Sequence, residues 1–184
     1  MTMNEERHTI SVLVDNEPGV LARVIGLFSG RGYNIESLTV SEIDNISKIS
    51  RISIVTRGTP MVIEQIKAQL ARIVPVHTVR DLTSAGAHIE RELALIKIVN
   101  AGEDRIEALR IASTFRARTL DSTLESFVFE ITGSSSKVQA FVDLMSSLGE
   151  VEVSRTGVSA ISRGAVADMP IRSQADGANT THAK

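Results

Sequence analysis

Residues 8–40 read HTISVLVDNEPGVLARVIGLFSGRGYNIESLTV, and the changes of period inside this stretch decide the fold. His8–Val14 is β-branched and apolar, with Ile10, Val12 and Val14 on one side of a strand. Asp15-Asn16-Glu17-Pro18-Gly19 interrupts it with turn and cap residues. Pro18 suits the first turn of a helix, where its missing N–H is not needed. From Val20 the spacing turns helical: Val20, Val24, Leu27 and Phe28, joined by Leu21 and Ile25, form a broad apolar stripe. Gly30-Arg31-Gly32 stops that helix, and Tyr33–Ile43 returns to strand.

Outward from this stretch the pattern completes itself. Ile46–Thr56 predicts a strand paired to the previous one through a turn at Asp44-Asn45. Pro60 opens a second helix with Ile63, Ile66, Leu70 and Ile73 on one face, and Val74–Leu82 closes the unit as a strand. The order is βαββαβ. Thr83–His88, small and polar, reads as linker. The same order then recurs: strand Glu92–Val99, helix Glu103–Arg116 carrying Ile106, Leu109 and Phe115, and strands Thr119–Leu124 and Ser126–Thr132. Ser134 caps a helix striped by Val138, Phe141, Val142, Met145 and Leu148. Glu150–Ser154 and Val158–Ile161 supply the last strand or strands. The expectation is an α+β protein of two tandem ferredoxin-like units, residues 7–82 and 92–163. Residues 83–91 would link them, and residues 164–184 would form a tail, disordered in its last part. A unit this small leaves one sheet face and its edges available, which predicts at least a dimer.

Composition narrows the function. A net charge of −2 argues against nucleic-acid binding driven by counterion release, and one Tyr, five Phe and no Trp argue against base stacking. Without cysteine there is no disulfide, thiolate metal site or cysteine nucleophile, and a reducing cytoplasm fits. No run approaches the ~18 apolar residues that span a bilayer, and the polar Met1–His8 start has no signal-peptide character. His8, His77, His88 and His182 have no pairing at metal-ligand spacing. Gly30-Arg31-Gly32 lacks the third glycine of a dinucleotide loop and follows a helix, and Gly133–Lys137 (GSSSK) reads better as a capped helix start than as a phosphate cradle. Nothing marks a general acid–base pair, so no catalytic residue, metal or cofactor is assigned to this chain.

The candidate site is the junction of first strand and first helix. Backbone amides at Gly19 and Val20 are helix-start donors, which attract a carboxylate through their N–H groups and the helix dipole. Gly19 has no Cβ to hold a ligand off the backbone. Asn16 offers an amide that donates and accepts, suited to an α-amino acid, and Asn34 offers another at the start of the second strand. Each also has an ordinary role: Asn16 as a helix cap, Gly19 as a helix-start residue, Asn34 as a turn residue after Gly32.

Asn16-Glu17-Pro18-Gly19-Val20-Leu21 resembles the NxPGxL signature of ACT domains, small-molecule sensors that commonly bind amino acids at domain interfaces. Arg23–Phe28 and Arg31–Val40 closely resemble the small, regulatory subunits of acetohydroxyacid synthase (acetolactate synthase), as do Gly86–Leu93, Ser154–Gly157 and Ser162–Gly164. The likeness covers about residues 7–164. It implies an N-terminal ACT domain that binds a branched-chain amino acid, usually valine, between two chains of a homodimer. Asn16, Gly19 and Val20 of one chain would hold the effector's polar end, and Asn34 and Ile35 of the other would complete the site, Ile35 as apolar wall. The partner implied is the large catalytic subunit, to which thiamine diphosphate, FAD and magnesium belong. The competing expectation is a stand-alone amino-acid sensor or transcription regulator, although no helix-turn-helix lies outside the two units.

Overall fold

The computed structural model describes residues 5–99 and 102–165. The remaining residues, which include most of the predicted tail, lie outside the described residues. In the N-terminal unit, β1 (Glu6–Asp15), α1 (Val20–Arg31), β2 (Ile35–Asp44), β3 (Ile49–Gly58), α2 (Pro60–Leu70) and β4 (Val76–Asp81) follow the expected order. The sheet runs β2-β3-β1-β4 with antiparallel neighbours, and α1 and α2 cover one face. Ile10, Val12, Ile52 and Ile54 from the sheet meet Val24, Phe28, Ile63 and Ile66 from the helices. Gly32 ends α1 in the left-handed region (φ 70), returning its N–H to Phe28 and Ser29 carbonyls.

The C-terminal unit repeats the plan with β5 (His88–Val99), α4 (Glu103–Phe115), β6 (Arg118–Ser122), β7 (Ser126–Gly133), α5 (Ser135–Ser146) and β8 (Glu150–Arg155). Its order, β6-β7-β5-β8, is the N-terminal order strand for strand. Ser134 caps α5 as expected, accepting the Lys137 N–H. The result is the predicted α+β architecture of two ferredoxin-like units.

Several details differ from the sequence reading. Helix α4 buries Ala108, Ile111 and Ala112, whereas Ile106 and Leu109 face outward at 72% and 43% exposure. Leu21 and Ile25 likewise sit at the rim of the α1 stripe, more than a third exposed. The stretch 83–91, read as linker, contains a one-turn helix, α3 (Leu82–Ala85), and the first residues of β5. Asp81 makes that turn possible, its carboxylate accepting the Thr83 and Ser84 N–H groups.

The last strand, β9 (Ser159–Ser162), pairs with His88–Arg91 of β5, whereas β8 pairs with Ala94–Val99. Strand β5 and the β8–β9 run therefore form one long two-stranded ribbon, interrupted at Thr156–Val158. One half of it is central to the C-terminal sheet. The other half lies on the N-terminal sheet face that the helices leave open, where Val55, Leu82, Val158 and Ala160 bury together. That face, expected to stay available, is thus partly covered. The physical reason is visible in β1, whose Thr9, Ser11 and Leu13 on the open side are at most 2% exposed.

Candidate functional site

The β1–α1 loop is held at one end of the N-terminal sheet by its neighbours. Asp15 and Asn16 donate their backbone N–H groups to the Pro75 and Lys48 carbonyls at 3.2 and 2.6 Å. The Asp15 carboxylate meets His77 Nε2 at 2.6 Å, and the Arg23 guanidinium donates to the Val74 carbonyl at 2.5 Å. The β2–β3 turn that supplies Lys48 is fixed by Asp44, which accepts the Ile46 and Ser47 N–H groups at 2.9 and 3.2 Å. Those backbone bonds hold the Asp44 carboxyl below its ordinary pKa. Sequence reasoning missed Asp15, Arg23, Lys48 and His77, since contacts between distant loops leave no local pattern.

Gly19 is the N-cap of α1 with φ 85, in the left-handed region, and no atom lies within 4 Å of where a Cβ would stand. The space over this glycine is open. Asn16 and Gly19 are exposed, while Val20 is buried in the core beneath. The Val20 N–H turns back weakly to the Glu17 carbonyl at 3.4 Å. Of the two expected donors the Val20 N–H is thus engaged, whereas the N–H groups of Gly19, Leu21 and Ala22 have no backbone acceptor among the described residues. Asn16 does not cap the helix; no side chain does.

This sets α1 apart. Thr59 caps α2, Asp81 caps α3 and Ser134 caps α5, whereas α4 carries Glu103 and Asp104 in its first turn. Among the described helices, α1 alone begins with neither a side-chain cap nor a first-turn acid. Among the described residues its positive dipole end therefore meets neither a side-chain acceptor nor a first-turn carboxylate.

Asn34 and Ile35 stand elsewhere. Ile35 is level with Thr56, and Thr56 with His8, whereas the loop begins after Asp15, seven residues further along β1. At about 3.3 Å per residue that is ~23 Å. The Asn34 side chain is exposed, its carbonyl accepts the Thr56 hydroxyl at 2.6 Å, and Ile35 packs against the core. One chain therefore does not bring the five predicted residues together.

A second concavity lies between the units, a crevice of about 460 Å³ lined by Arg7, Glu36, Ser37, Glu92, Arg155 and Gly157 among others. Its charges are matched internally: the Arg155 guanidinium holds the buried Glu92 carboxylate, and Arg7 meets Glu90 at 2.9 Å. Burial would raise the Glu90 pKa, but hydrogen bonds from Arg7 and Thr9 outweigh it and hold the carboxyl below its ordinary value. Among the described residues no group of three or more His, Asp or Glu is placed to hold a metal ion. No helix of the described residues is long and apolar enough to cross a membrane.

Two family models match successive stretches of the chain. Residues 10–78 match the AHAS small subunit-like ACT domain, and residues 91–164 match the family described as the small subunit of acetolactate synthase. The probable acetolactate synthase small subunit of Archaeoglobus fulgidus is 46% identical over 158 residues, covering 86% of this chain and 98% of its own. The chain belongs to the acetolactate synthase small-subunit family. The small subunit of acetolactate synthase isozyme 3 from Escherichia coli K12 is 45% identical over 159 residues, 86% of this chain and 96% of its own. The crystal structure of the Thermotoga maritima small subunit superposes with a TM-score of 0.77 at 39% identity, covering 88% and 99% of the two chains. The ACT domain of this family member is thus the N-terminal unit, and the open start of α1 belongs to it.

Proposed function

We propose that this chain is the regulatory subunit of an acetolactate synthase, raising the activity of a separate large catalytic subunit and making it sensitive to valine. The observation that carries this reading is the start of α1, open over Gly19 and lacking both a side-chain cap and a first-turn acid. Such a terminus favours a carboxylate, and the exposed Asn16 amide stands two residues before Pro18 to meet an α-amino group. The equivalent start in the C-terminal unit, α4, carries Glu103 and Asp104 and repels the same ligand.

The ~23 Å separation of the loop from Asn34 and Ile35 favours a site shared by two chains. Asn16, Gly19 and Val20 come from one, and Asn34 and Ile35 from its partner in a homodimer. Thiamine diphosphate, FAD and magnesium are assigned to the catalytic subunit, and the complex to the cytoplasm. The effector must bind two states of the complex unequally, because equal affinity shifts nothing. A coupling of about 1–3 kcal/mol corresponds to feedback of roughly 5- to 150-fold.

Acetolactate formation by the catalytic subunit, with and without this chain across a valine titration, tests the reading. Stimulation that valine reverses supports it. Absence of both effects with a folded protein points instead to an amino-acid sensor with another partner. Within the assay, Gly19→Asp should abolish feedback and spare stimulation. The added carboxylate opposes that of the ligand, while the open space leaves the fold undisturbed beyond about 1–2 kcal/mol of left-handed strain. Asn34→Ala should weaken inhibition less, and unchanged effector affinity would argue against a contact there.

A further inference from the structure

Strand β2 does more than present Asn34 and Ile35. Directly after them the β2–β3 register shifts at Glu36, and beyond this bulge Ser37 and Thr39 face the open side of the sheet. There they meet Val158, a 2% exposed residue in the interruption between β8 and β9. The Val158 N–H donates to Ser37 Oγ at 2.7 Å, and Thr39 Oγ1 donates to the Val158 carbonyl. The backbone N–H and carbonyl of Val158 are therefore both satisfied by hydroxyls from the other unit. Gly157 is needed for this approach. Its φ is 83, and a Cβ there would stand 2.7 Å from Ser37 Oγ.

A parallel polar route starts one residue earlier. Glu36 pairs with Arg57 at 2.5 Å and with Arg7 at 3.9 Å, and Arg7 continues to Glu90 on β5 at 2.9 Å. Thr9 also donates to Glu90. The first five residues of β2 thus bond the ribbon directly at Val158 and reach β5 through Arg7, and that ribbon continues as the centre of the C-terminal sheet. The apolar contact of Val55 with Val158 and Ala160 has no directional preference and tolerates sliding. The paired hydroxyl bonds do not, because breaking either strands a buried backbone group.

We propose that Ser37 and Thr39 are positioning residues that transmit effector binding to the C-terminal unit. An effector that fixes the start of β2 fixes, through Val158, the seat of the ribbon and hence of β5 and β8. This rests on the effector reading above. By linkage, anything that holds the C-terminal unit in the matching position tightens effector binding equally.

Hydrogen exchange on the full chain, with and without L-valine, tests it. In the parent, valine should slow exchange around residues 16–22 and also in the segment 150–162. In Ser37→Ala/Thr39→Val, exchange at Val158 should rise on the order of tenfold, as expected for one lost buried hydrogen bond. The valine effect should then stop within the N-terminal unit. Thr39→Ser, which keeps the hydroxyl, should transmit like the parent. Transmission undiminished in the double variant overturns the proposal, as does a parent response confined to the N-terminal unit. No slowing at residues 16–22 in the parent overturns the effector reading itself, and the coupling with it.

Discussion

The two units share a strand order yet use their first strands differently. Strand β5 is buried at every second residue from Glu92 to Ile98, leaving Leu95, Lys97 and Val99 on an exposed face. Strand β1 is buried without a break from His8 to Val14. Alternation marks a sheet with one wet face, and an unbroken run marks one covered on both. The cover over β1 comes from α3 and from the far end of β5 with β9, so the C-terminal unit lends the N-terminal one its second layer. The helix starts differ as well: α4 supplies its own carboxylates, and α1 leaves its donors open. One plan thus begins its first helix with carboxylates in one copy and without them in the other.

The largest expected effect comes from breaking the C-terminal core. Phe141 is fully buried with ring centroids 5.4 and 6.0 Å from Phe115 and Phe129, so Phe141→Ala should cost about 3–5 kcal/mol. Because the ribbon reaches across, denaturant unfolding followed at Tyr33 in the N-terminal unit should shift as well. An unmoved Tyr33 transition would show that the second layer contributes little to β1.

Making α1 resemble α4 sharpens the contrast at the helix starts. Leu21 is partly exposed in the first turn, and Leu21→Glu should leave stability equal or raised by about 0.3–1 kcal/mol. The same carboxylate should weaken valine inhibition severalfold, read from the inhibition curve. Unchanged inhibition would separate the helix start from the effector.

The smallest effect is a pH dependence at the contact between units. The Asp81 carboxyl is pushed up by burial but held lower overall by hydrogen bonds from Ser84 and His8, and Glu90 is lowered too. A lowered folded-state pKa stabilises above the ordinary carboxylate range and is lost as pH falls through the folded value. Contact between the units should therefore weaken below about pH 4, and Glu90→Gln should flatten that acid limb of the stability curve. A curve unchanged by Glu90→Gln would assign the acid sensitivity to other carboxylates.

Much of this architecture was legible in the residues. The Gly32 stop, the Pro60 start and the strict alternation of Phe127, Phe129 and Ile131 each have a local cause, and each element formed where that cause stood, whereas Pro18, expected in the first turn of α1, lies just before its Gly19 cap. The outward turn of Ile106 and Leu109 was not legible. Period alone allows two overlapping stripes on α4, and this sheet takes the one with Ala108 and Ala112. Strand β9 was legible as a strand at Val158–Ile161, but its pairing was not, because its partners His88–Arg91 stand some seventy positions away. Asn16, Gly19 and Val20 were legible as a unit because a loop and a helix start are local. Their separation from Asn34 and Ile35 comes from the register that sets Ile35 level with His8, at the opposite end of β1 from the loop, and that register is a property of the sheet.

The ribbon also bears on how such proteins are recombined. The two sequence repeats meet near Ala85, and an exchange between relatives at that point looks harmless on paper. It would place His88–Arg91 and Ser159–Ser162 from one parent against a β1 face shaped in the other. A chimera that keeps Ser37, Thr39, Val55, Gly157 and Val158 from a single source respects the true seam, which runs diagonally through both repeats.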